Sequence, residues 1–317
     1  MVSRASVLVT GAGGFVCSEL AVALARAGHS VLALDRAFDA PTVARLAAAG
    51  PGRIERVEGD LSETLGRLGA RPDSVIHGAA LTTDAARLGL SRAGHLRRNM
   101  ELLTTTLDAA RGAGAARLLF LSSMGVFAPG DRTAPGEAGR LNESAAPIAA
   151  CPYAAAKRAG EIVTQAAAEA GFATLALRLG NVFGPHEAVR ETRQGLSLVA
   201  RMIAEARATG RVTVATPEAR REWAWLPDLA GWIARLATGL ADGAPPLLHA
   251  GTPPVIGDLE LARAVAARLP GTVVRAAPPP HAATRPPMGT AHDDALPQAD
   301  WTPIPDALDR LVARVPA

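Results

Sequence analysis

The feature that most constrains this chain lies near its start. An apolar run, ASVLVT (5–10), breaks at Gly11, and the sequence continues TGAGGFVC (10–17). An amphipathic Ala/Leu segment follows to about Ala27, and then a second apolar run, SVLALD (30–35), ending in an acid. A strand, a glycine turn, a helix and a second strand make a βαβ unit. Glycines at the strand-to-helix turn leave the backbone uncovered, so a pyrophosphate can reach the helix N-terminus, where N–H groups and the helix dipole favour an anion. Asp35 stands 21 residues after Gly14, about the spacing at which a carboxylate takes the adenosine ribose hydroxyls. This run predicts a dinucleotide site built from Gly11, Gly13, Gly14, Phe15, Val16 and Asp35. Asp35 opposes a 2′-phosphate and predicts NAD. Arg36 beside it could partly accommodate that phosphate, which leaves NADP open.

The same rhythm continues. RIERVEGD (53–60), DSVIHGAA (73–80), ARLLFLSS (116–123) and TLALRLGNV (174–182) read as buried strands, with helices near 41–49, 62–70, 94–112 and 152–170. Buried strands alternating with helices predict an α/β fold, a Rossmann-type doubly wound parallel sheet. After about residue 184 the rhythm breaks. A helix over 196–209, a short strand, the Trp-containing REWAWLPD (221–228) and another helix follow, then a Pro-rich stretch over 277–305 and a C-terminal helix, PDALDRLVARV. The chain is therefore divided into a dinucleotide-binding domain, 1–184, and a part, 185–317, that is mainly a small substrate lobe with some segments returning to the sheet.

Net charge is +3, aromatics are 3%, and no block of basic residues stands out. A nucleic-acid surface is not expected. No stretch approaches the roughly 20 apolar residues of a membrane span, and no apolar leader is evident. Two cysteines, Cys17 and Cys151, make no disulfide framework. The expectation is a soluble cytoplasmic protein acting on a small molecule, with no metal site.

CPYAAAKRAG (151–160) holds the chain's one tyrosine and its one lysine. Pro152 suits the first turn of a helix, so Tyr153 and Lys157 fall one turn apart on one face. An ammonium beside a phenol stabilises phenolate and lowers a pKa that starts near 10. Such a tyrosine can exchange a proton with a substrate oxygen while hydride moves to or from a nicotinamide. In a chain otherwise drained of lysine, one compact point charge is retained at this position.

TGAGGF (10–15), Asp60-Leu61, HGAA (77–80), SSMGVF (122–127), YAAAK (153–157), LRLGNVFGP (177–185), REWAWLPDLA (221–230), RPP (285–287) and DWTP (300–303) together resemble the ordered motifs of the extended short-chain dehydrogenase/reductases, the NAD-dependent epimerase/dehydratase superfamily. The resemblance implies Ser123 as hydrogen-bond partner of the reacting oxygen, Tyr153 as acid/base and Lys157 as its partner, which also holds the nicotinamide ribose. It implies adenine contacts from Asp60 and Leu61, a cofactor cleft lined by Ala79 and Ala80, Asn99 on the helix after the fourth strand, and Asn181 near substrate beside Ser123 and Met124. Homodimers through the helices near 94–112 and 152–170 are common in similar proteins. Cys17 stands where the pattern has a third glycine, and Phe127 where it has a tyrosine. SSM replaces the acid–base set of sugar-nucleotide dehydratases, which argues against dehydration.

Two enzyme readings remain, because fold does not specify substrate. The first is an NAD(P)-dependent oxidoreductase acting on a secondary alcohol or ketone of a sugar, sugar acid or polyol. The second is a nucleotide-sugar epimerase. A non-catalytic dinucleotide sensor is a minor third. Arg190 and Arg193 could clamp a carboxylate or a pyrophosphate, or be solvated. Arg221 and Arg285 match positions that often hold substrate phosphates in the family. Cys17 and Cys151 are both expected to line the cofactor cleft.

Overall fold

The computed structural model describes residues 6–49, 54–67, 69, 71–128, 139–190, 195–240, 244–293 and 300–314. The first half runs β1 (Ser6–Thr10), α1 (Phe15–Arg26), β2 (Ser30–Asp35), α2 (Ala40–Ala47), β3 (Ile54–Glu58), α3 (Leu61–Thr64), β4 (Ser74–His77), α4 (Arg92–Gly112), β5 (Arg117–Ser123), α5 (Pro152–Ala166), β6 (Ala173–Leu179) and β7 (Val182–Phe183). The second half runs α6 (Leu198–Thr209), β8 (Arg211–Val214), β9 (Arg220–Glu222), β10 (Ala224–Trp225), α7 (Leu226–Gly239), β11 (Leu247–His249), β12 (Val255–Gly257), α8 (Asp258–Ala266), β13 (Val273–Ala276) and α9 (Ile304–Arg314).

Seven strands form one parallel sheet in the order β11-β6-β5-β4-β1-β2-β3. Alternate side chains leave each strand for opposite faces. Val7 and Val9 of β1 join α1 and α7 in one core layer, whereas Leu8 joins Leu103 and Leu107 of α4 in the other. The chain leaves β1 toward β2 and β3, then returns to place β4 on the other side of β1. That reversal opens a crevice at the carboxyl ends of β1 and β4, where ligands bind in open α/β sheets.

Two sequence expectations are corrected. The strand expected to be buried over 53–60 is the sheet edge. It pairs with β2 alone, and Glu55, Arg56 and Glu58 are exposed. The helix expected over 62–70 stops at Thr64 and passes into a 3-10 turn over Leu65–Arg67, where Gly66 disfavours continuation.

The second half divides its residues. α7 and β11 complete the sheet layers, while α6, β8, α8 and α9 bury a separate core of Val199, Met202, Val214, Trp223, Leu261 and Leu308. β13 pairs with β8, β12 with β9, and β10 with β7, the strand that continues the chain beyond β6. No helix among the described residues is long and apolar enough to cross a membrane.

Candidate active site

A cavity of about 1260 Å³ runs along the carboxyl ends of β1, β2, β4, β5 and β6 and on into the second lobe. Its floor is the glycine turn. Gly11 has φ +72°, and a Cβ there would lie 2.7 Å from the Ala79 backbone nitrogen, so only glycine lets the β1 and β4 ends meet. α1 opens at Gly14, which supplies no side-chain cap, so the helix presents its N-terminus to the cavity alongside Phe15, Val16 and Cys17. Asp35 Oδ2 accepts from Gly13 N at 2.8 Å and Oδ1 from Arg36 N at 2.6 Å. Burial pushes the Asp35 carboxyl up from its usual range, and these N–H groups hold it back. Arg36, Asp60, Leu61, Ala79 and Ala80 complete this half of the lining. Asp60 caps α3 through Ser62 N and pairs with Arg98 at 2.7 Å. An uncovered turn, an uncapped helix start and a carboxylate at the end of β2 fit a dinucleotide.

Ser123, Tyr153 and Lys157 line the middle of the same cavity. Ser123 is the last residue of β5, and its Oγ accepts from Gly125 N at 3.0 Å. Cys151 N-caps α5, its sulfur accepting from Ala154 N, and Pro152 occupies the first helical turn. This start aims Tyr153 and Lys157 at the strand ends. Lys157 is buried, and its Nζ donates to Leu121 O at 2.7 Å and lies 5.8 Å from the centroid of the Tyr153 ring. Burial lowers the Lys157 ammonium to about 8. His77 lies beneath, buried, with its Nδ1 at 2.9 Å from Thr106 Oγ1 and 3.1 Å from Thr10 Oγ1.

A second pocket adjoins Ser123 and is lined by Met124, Asn181, Thr216, Arg221 and Arg285. Its organiser is Glu222, fully buried on β9. Glu222 Oε1 accepts from Asn181 N and Asn181 Nδ2, both at 3.1 Å, and the carboxylate also takes Arg285 and Met288 N. Gly180 makes room for it, since a Cβ there would lie 2.8 Å from Oε1. Burial pushes the Glu222 carboxyl up, and Arg285 with its N–H partners overcomes this to hold it below the usual range. Arg221 is likewise held, at 2.9 Å, by the buried Asp258.

Several expected site residues are placed differently. Asn99 does not line the cavity; its Oδ1 accepts from Leu81 N at 2.9 Å, fixing the loop that follows Ala80. Gly13 shapes the turn and is not part of the lining. Arg190 stands at the Asp35 end of the cavity, bound to Asp39, and not beside Asn181 as a substrate clamp. Arg193 lies outside the described residues. Cys17 lines the cavity, its thiol pushed up to about 12 by burial and then by Asp35, whereas Cys151 is exposed at its cap. Sequence reading missed Glu222 and Asp258. Glu222 carried a signal, one carboxylate in the otherwise apolar EWAW run. Asp258 carried none, because its partner Arg221 is 37 residues away.

The profile of the NAD dependent epimerase/dehydratase family matches residues 7–248. Curated relatives include UDP-glucuronate 4-epimerase 1 of Arabidopsis thaliana, 30% identical over 57% of this chain and 43% of its own. A 2-alkyl-3-oxoalkanoate reductase of Stenotrophomonas maltophilia is 30% identical over 56% of this chain and 51% of its own. The chain spans about half the length of the curated relatives it matches. Among solved structures, a UDP-glucose-4-epimerase from Stenotrophomonas maltophila with bound NAD and formylated UDP-arabinopyranose superposes with TM-score 0.80 at 22% identity, over 96% of each chain. MoeE5 in complex with UDP-glucose and NAD superposes at 0.75 and 23% identity, over 97% of each chain. At these identities the structural likeness establishes the Rossmann-like fold.

Proposed function

This chain belongs to the NAD dependent epimerase/dehydratase family, and from that premise we propose that it is an NAD-dependent oxidoreductase acting on a secondary alcohol or ketone of a sugar, sugar acid or related polyol. The observation that carries this reading is the convergence of Ser123, Tyr153 and Lys157 on the cavity that also contains the Gly11 turn and Asp35. Gly11, Gly14, Phe15 and Val16 would hold the pyrophosphate, Asp35 the adenosine ribose, and Lys157 the nicotinamide ribose. NAD bound there supplies the hydride acceptor. Tyr153 takes the proton from the substrate hydroxyl during oxidation and returns it during reduction. Lys157, buried beside the ring, favours phenolate by its charge. Ser123 Oγ donates to the same substrate oxygen and fixes its distance from the phenol.

Charge in the second pocket favours a substrate without a diphosphate. Arg221 is balanced by Asp258 and Arg285 by Glu222, and both carboxylates are buried. A dianionic pyrophosphate would find little unbalanced positive charge there. The second reading, a nucleotide-sugar epimerase, draws on a different observation: the main cavity continues past Tyr153 along Leu198, Arg201, Thr213 and Thr216, with room for more than a small polyol. Both known structures named above contain NAD and a nucleotide sugar.

The test is NADH appearance with two panels, free sugars and sugar acids, and nucleotide sugars, with Tyr153→Phe as control. Tyr153-dependent NADH from the first panel is the expected result. An isomerised nucleotide sugar with no net NADH would replace this reading with the epimerase.

A further inference from the structure

Arg190 departs furthest from its expected place. It comes from the chain's second half, yet its Nη2 donates to Asp39 Oδ2 at 2.7 Å and to Thr42 Oγ1 at 3.1 Å, both at the start of α2. Asp39 is itself the N-cap of that helix, its Oδ1 accepting from Thr42 N at 2.9 Å. Val189, Arg190 and Asp39 all line the cavity, at the end where Asp35 closes β2. The Arg190 charge is close enough to act on the Asp35 carboxyl. One ion pair thus ties the segment that follows β7 to the β2–α2 corner. It joins the two halves of the chain at the end of the cavity that would hold the adenosine.

We infer that Arg190 is a cofactor-retaining residue, whose ion pair with Asp39 closes the adenosine end of the cavity over a bound dinucleotide and slows its release. The inference rests on the reading of this cavity as a dinucleotide site. The pair is partly exposed, with side-chain exposures of 22% for Arg190 and 41% for Asp39. Its strength is therefore modest and reduced by salt. It sets how long the dinucleotide stays more than whether it binds. A cofactor held through many turnovers suits internal redox, and one that exchanges suits net oxidation, so this residue bears on both catalytic readings.

The test is stopped-flow displacement of NADH by excess NAD, followed by NADH fluorescence, in the wild type, Arg190→Ala, Asp39→Asn and the double variant. Asp39→Asn keeps the oxygen that caps α2 and removes only the charge. Both single variants should release NADH about two- to fivefold faster. The double variant should be no faster than either single, and the wild-type rate should rise more steeply with salt than theirs. Thermal midpoints within a few degrees of wild type would show that the variants are folded. Unchanged or additive off-rates, with NADH still bound by the wild type, would overturn the clasp and leave the dinucleotide site intact. A wild type that binds no NADH would overturn both.

Discussion

Lys157 donates its ammonium to the carbonyl of Leu121 at 2.7 Å, which anchors the side chain to the end of β5 and holds its charge beside Tyr153. The carbonyl satisfies one N–H of a buried cation and leaves two donors for other partners. Burial has already lowered this group to about 8. A ligand that accepts from the ammonium favours the protonated form, so affinity is full below the free-protein pKa and falls above it. NAD binding titrated across pH should hold to about pH 8 and weaken beyond. Lys157→Met should bind roughly tenfold more weakly, with that pH dependence removed. A wild-type affinity that stays flat through pH 9 would contradict this assignment.

His77 predicts acid sensitivity. Burial pushes its imidazole down to about 3 from 6.5. The unfolded chain therefore binds a proton that the folded chain refuses between those values, and stability falls as pH drops through this window. One such group contributes a slope of about 1.4 kcal/mol per pH unit. Urea midpoints at about pH 7 and pH 5 should differ more in the wild type than in His77→Asn, although the variant starts lower for want of its contacts with Thr10 and Thr106.

Glu222→Gln keeps the shape of the carboxylate and removes its charge. Arg285 is then left partly buried without a counter-ion, a change that costs about 3–5 kcal/mol in comparable pairs. Asn181 bonds Oε1 and Met288 N bonds Oε2, and the one oxygen that Gln retains can accept from only one of the two, so their common anchor is broken. The variant should unfold at lower temperature and show a raised KM for the proposed hydroxylated substrate, with NAD affinity near wild type because Glu222 is outside the end of the cavity that Gly11 and Asp35 line. An unchanged KM would show that Glu222 does not organise a substrate site through Asn181 and Arg285.

Cys17 and Gly78 form a complementary pair. A Cβ on Gly78 would lie 2.2 Å from Cys17 Sγ, so the sulfur occupies the space that glycine leaves. Gly78→Ala should destabilise by about 1–3 kcal/mol through overpacking. Cys17→Ala in the same chain should recover most of that loss in thermal midpoint. Additive losses in the double variant would show that the two positions do not share this space.

The βαβ start, the order of strands and helices, and the Tyr153–Lys157 pair were legible because each is local. Strand and helix periods are written in neighbouring residues, a turn needs its own glycine, and one helical turn joins positions four apart. The seventh strand, β11, was less legible because three residues between loops carry little period of their own. The partners of the charged groups were decided only by tertiary structure. Asn181 meets Glu222 across 41 residues, Arg221 meets Asp258 across 37, and Arg190 meets Asp39 across 151. In a chain where arginines and acids are interspersed throughout, every carboxylate has many formal partners, and charge alone does not choose among them. Packing of the second lobe against the strand ends makes the choice. It moved Arg190 from an expected substrate clamp to the Asp35 end of the cavity, and it set Glu222 beneath Asn181, where Gly180 has no side chain to keep it out.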